Sequence, residues 1–168
     1  MPRTINSPKF HLSEYRKFEK TLPEHLQQQY YQFFGLTFSV PRALFVIQKF
    51  GLQPEDADQD RIELLAKNFG VSYPQRTSDE TAKRSLFDRN LNDDWIETLI
   101  NTPEITEYPL SHDPIILIEA TIGKGKEKRQ TWFLTDGGHR LRYHYLTGKP
   151  SLKVHMIKEP FARLTRIR

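Results

Sequence analysis

The stretch PIILIEATIGKGKEKRQTWFLTDGGHRLRYHYLTGKPSLKVHMI, residues 114–157, sets the architecture. PIILIEATI and TWFL are apolar runs of strand length, and GKGKEKRQ between them is a Lys/Gly-rich hairpin loop. TDGG then leads into HRLRYHYLTG, a helix closed by Gly148. In SLKVHMI, Leu152, Val154 and Met156 alternate with Lys153 and His155, the period of a strand. His155 is read as an exposed strand residue. The order strand–strand–helix–strand, after the helix over 91–102, predicts an α/β or α+β unit.

Upstream the pattern is helical. Residues 7–35 read as helix, with Pro23 near a start, Gly35 at a stop, and Leu26, Tyr30, Phe33 and Phe34 as a core stripe. Pro41–Phe50 closed by Gly51 is a further helix. So is Asp60–Phe69 closed by Gly70, with Ile62, Leu65, Ala66 and Phe69 on one face. Residues 71–90 are polar, broken by Pro74, and read as a linker or loop. LNDDWIETLINT, residues 91–102, reads as a helix with Asn92 as cap. The expected organisation is a helical N-terminal segment over 1–70, a linker over 71–90, and an α/β domain with a basic tail over 91–168.

The bulk composition excludes some functions. The 168 residues contain no Cys, so neither a disulfide nor a thiolate nucleophile exists. No apolar run reaches membrane-span length, and MPRTINSPKFHLSEYRKFEK has no signal-peptide core. The expectation is a cytoplasmic protein with no membrane partner. No Cys/His/Asp array has metal-ligand spacing, and no structural metal is expected. The net charge of +4 is unevenly spread. Residues 124–168 hold 12 of the 25 basic and 3 of the 21 acidic residues, net +9, which leaves 13 and 18, net −5. A basic C-terminal quarter suits phosphate-bearing partners.

The candidate site is TDGGHR. Gly137 and Gly138 permit close backbone approach, and the first N–H groups of the following helix attract anions. His139 and Arg140 in the first turn, with Arg142 nearby, could hold a phosphate. Asp136 could cap the helix, hold Mg²⁺ or accept a proton from a hydroxyl.

Asp136-Gly137-Gly138-His139-Arg140, with its preceding strand and following helix, resembles the motif of the ParB/sulfiredoxin superfamily. The resemblance covers about residues 91–158, with an echo of the ParB-opening box at YPQR, residues 73–76. It implies a ParB/sulfiredoxin-like fold with a site for ATP or CTP and Mg²⁺, in which His139 and Arg140 hold phosphates. Thr98 and Thr102 then supply hydroxyls, although Trp95 stands where the family pattern has Lys. Sulfiredoxin chemistry is excluded, because Gly138 occupies the place of the nucleophilic Cys.

Three functions follow. The first is a stand-alone ParB-like nucleotide-binding protein that hydrolyses NTP and binds or cleaves DNA. Asp136 and His139 would be catalytic, with Gly137, Gly138, Arg140, Arg142, Thr98 and Thr102 around the nucleotide. Lys124, Lys126, Lys128, Arg129, Arg163, Arg166 and Arg168 would meet DNA. The second is a small-molecule kinase of the free-serine type. The third is a non-catalytic DNA- or protein-binding module, with ELLAKNFGVS, residues 63–72, as part of a helix-turn-helix.

Overall fold

A computed structural model describes residues 8–27, 29–33, 35–69, 114–148 and 152–167. The expected linker 71–90, the helix 91–102 with Trp95, Thr98 and Thr102, the box at 73–76, and Arg168 lie outside these residues. The protein is α+β, with a two-stranded sheet and a mixed four-stranded sheet. Among the described residues, no helix is long and apolar enough to cross a membrane.

The described chain forms two compact units that interleave its N- and C-terminal parts. One comprises residues up to 53, 116–135 and 155 onward; the other holds 54–115 and 136–154. The four-stranded sheet has the order β3-β6-β4-β5: β3 is Glu55–Ala57, β4 Ile115–Ile122, β5 Arg129–Asp136 and β6 Leu152–Ile157. The short connection 123–128 makes β4 and β5 antiparallel, since a parallel crossover needs a dozen or more residues.

In the first unit, α1 (Leu12–Glu19) and a single turn, α2 (Glu24–Gln27), precede a hairpin of β1 (Tyr30–Phe33) and β2 (Leu36–Ser39). This corrects the expectation that the helical segment opened by Pro23 runs on to Gly35. Tyr30 and Tyr31 are 46% and 48% exposed, so they form no buried helical stripe. The aromatic and β-branched residues of YYQF and LTFS favour pleated strands. Gly35, with φ 78°, turns the hairpin rather than ending a helix.

α3 (Val40–Phe50) follows directly. The Ser39 hydroxyl accepts from the Arg42 N–H at 3.2 Å, Pro41 sits in the first turn, and Gly51 closes the helix at φ 62°. Ala43 and Val46 of α3 join Phe38, Ile116, Ile118, Ala120, Ile122, Phe133 and Ile157 in the core. Phe10, Tyr15 and Phe18 surround Phe45 with ring centroids 5.5–5.7 Å away. An ion pair between Glu14 and Lys49 ties α1 to α3. His155 is half-buried, not exposed, and burial lowers its pKa.

In the second unit, β3 pairs antiparallel with the start of β6, and Asp56 faces Lys153 with a contact of 2.7 Å. α4 (Gln59–Asn68) begins at Asp58, whose carboxylate accepts from the Arg61 N–H at 2.9 Å. Its buried residues are Ile62, Leu65 and Ala66, the face read from the sequence. Phe69 ends the helix; Gly70 lies outside the described residues. α4 packs on α5 (Gly138–Thr147).

Burial pushes the Tyr15 phenol up to about 12. The neutral form is favoured by folding, so its stabilisation is complete below pH 10 and is lost as pH rises through about 12. A difference titration at 295 nm between wild type and Tyr15→Phe is expected to show one phenol ionising above the normal tyrosine range. A normal midpoint would contradict the burial argument.

Candidate functional site at the β5–α5 junction

Asp136 ends β5, Gly137 is the N-cap of α5 and Gly138 its first residue. The sequence places this turn correctly. The tertiary structure shows why its glycine is required. Gly137 has φ 96° and ψ 22°, in the left-handed region. A Cβ there would lie 2.5 Å from Ile115 Cγ2 and 3.0 Å from Arg140 Nη2. Ile115 is fully buried. The bare backbone therefore admits an isoleucine from β4, a role the sequence did not reveal.

Arg140 is 8% exposed. Its Nη2 donates to the Pro114 carbonyl and to the Asp136 carboxylate, each at 3.0 Å. Asp136 is thus an ion-pair partner for the residue four further on. The N-cap of α5 is Gly137, which has no side chain to cap with, and one oxygen of Asp136 is taken by Arg140. A buried guanidinium is costly without a charged partner, and Asp136 supplies one. Arg140 Nε is buried without a hydrogen-bond partner. Leu141 and His144 are buried on the same helix.

The junction so brings together Asp136, Gly137, Gly138 and Arg140. The backbone of α5 carries His139 and Arg142 in its first turns, and their side chains lie outside the described set. Among the described residues, no group of three or more His, Asp or Glu could hold a metal ion. Asp136 faces a cation rather than other carboxylates.

The predicted DNA-contact residues divide into two kinds. Lys124, Lys126, Lys128 and Arg129 are exposed at the β4–β5 hairpin. Arg163 and Arg166 instead bind opposite oxygens of Glu159, at 3.1 and 3.0 Å. Arg166 also lies over the Phe38 ring, and its carbonyl accepts from Arg42. It is a structural clasp. Sequence reasoning missed Glu159, which lies in the turn before a 3₁₀ helix (Ala162–Thr165) and is brought to Arg163 by that turn.

No family model, curated protein or solved structure matches the chain.

Gly137→Ala is expected to destabilise the protein by about 2 kcal/mol or more, combining left-handed strain with overpacking against Ile115. Gly138→Ala, inside the helix, should change stability by less than about 1 kcal/mol. Urea unfolding measures both. Equal effects would remove the packing role assigned to Gly137.

Proposed function

We propose that the β5–α5 junction binds the phosphate groups of a nucleotide, as the ParB/sulfiredoxin resemblance implies. The observation that carries this reading is the helix N-terminus itself. Its N-cap residue is a glycine, with no side chain of its own to cap it, and it opens at two glycines. A buried arginine in its first turn has one N–H without a partner. Orphan N–H groups and the positive end of the helix dipole attract phosphate, and Arg140 suits a phosphate oxygen. The order of β4, β5, α5 and β6 also agrees with the family pattern.

In this reading the Asp136–Arg140 pair is the resting contact. A phosphate entering the turn would share Arg140 with Asp136 or replace it. The displaced carboxylate would stand beside the phosphates, where it could hold Mg²⁺ or orient an attacking hydroxyl or water. His139 would make the second charge-assisted contact. ATP or CTP with Mg²⁺ is the ligand class. Hydrolysis and transfer to a small acceptor differ only in which hydroxyl attacks.

One observation favours a purely structural motif. Gly137 and Arg140 already have work within the fold, against Ile115 and Pro114. Calorimetry with ATP and CTP plus Mg²⁺ separates the readings. Wild type should bind one of them, and His139→Ala should weaken binding by roughly 10- to 100-fold, the worth of one charged hydrogen bond. Asp136→Asn keeps an acceptor for Arg140 but removes the competing charge. It should tighten binding while stopping turnover, as assayed by product analysis. Folded wild type that binds neither nucleotide would leave the structural turn as the account of the motif.

A further inference from the structure

We infer that the tip of the β4–β5 hairpin, and not the C-terminal arginines, is the surface on which this protein meets the phosphate backbone of duplex DNA. This does not depend on nucleotide binding at α5. Every residue from Gly123 to Gln130 is exposed. Lys124, Lys126, Lys128 and Arg129 supply four positive charges against one acid, Glu127. None of the four forms an ion pair with a described residue.

The tip is built rather than loose. Gly123 has φ 86°, and a Cβ there would overlap the Glu127 carbonyl. The Glu127 N–H donates to the Lys124 carbonyl at 3.1 Å, and the Lys128 N–H to the Gly125 carbonyl at 3.3 Å, around a 3₁₀ turn. The charges therefore sit on an ordered support, which lowers the entropy lost on binding. The tail differs. Arg163 and Arg166 both pair with the one carboxylate of Glu159, which offsets one of their two charges, and Arg166 is partly covered by the fold.

The chemistry of the tip selects among polyanions. No apolar residue occurs from Gly123 to Gln130, so nothing there can insert into a lipid interface. No aromatic residue occurs there either, so bases of a single strand have no stacking platform. A two-stranded ribbon with basic side chains suits the major groove of B-form DNA, which is about 12 Å wide.

The test is fluorescence anisotropy of the full chain with a labelled DNA duplex of about 20 base pairs, between roughly 50 and 200 mM salt. The variant Lys124→Ala/Lys126→Ala/Lys128→Ala/Arg129→Ala, whose altered side chains are all exposed, is first checked for an unchanged melting temperature. Its slope of log K against log salt should be shallower than wild type by about 3–4, one unit per lost phosphate contact. Arg163→Ala should leave the slope unchanged. Three outcomes overturn the inference: no duplex binding by wild type at the lowest salt, an equal slope in the quadruple variant, or tighter binding to single strands or phosphatidylserine vesicles than to duplex.

Discussion

The second unit depends on the absence of one side-chain atom, the Cβ of residue 137. With φ at 96°, the chain turns from β5 into α5 within one residue. Ile115 then packs against that backbone where a Cβ would otherwise stand. Because the turn is so close to β4, Arg140 reaches the Pro114 carbonyl as well as Asp136. A buried guanidinium is costly unless its charge and donors are met. Here one carboxylate and one carbonyl meet part of that demand, and Nε remains over. The same geometry thus makes a tight structural turn and sets a helix start with a glycine N-cap beside an incompletely satisfied cation.

Arginine and lysine serve two different ends in this chain, and burial separates them. Arg140, Arg42 and Arg166 reach backbone carbonyls, carboxylates or aromatic rings. Their planar heads can make several directed contacts at once. The hairpin lysines stand in water and keep their charge available. A net charge for the C-terminal quarter merges these populations. The long-range field is the sum of both, but only solvated, unpaired groups can exchange condensed counterions with a nucleic acid.

Patterning made much of the fold legible. β4, with its first four residues buried, follows a continuous apolar run, β6 follows alternation, and α3 and α4 follow helical spacing. The hairpin at Tyr30–Ser39 was not legible in this way. Tyr, Phe and Gln at successive positions satisfy a helical stripe as well as a strand, and only the lack of a burying partner for Tyr30 and Tyr31 decides between them. The interleaving of the two units was also hidden, since contacts between residues far apart in sequence leave no local signal.

The site divides along the same line. The sequence by itself determined the glycine turn, the helix start after it, the His-Arg pair and the basic hairpin, because these are local properties of adjacent residues. Only the tertiary structure decided that Asp136 pairs with Arg140, that Ile115 fills the space beside Gly137, and that Arg163 and Arg166 share the carboxylate of Glu159. Those outcomes depend on which groups burial brings within hydrogen-bonding distance and on the high cost of leaving a buried charge without a partner.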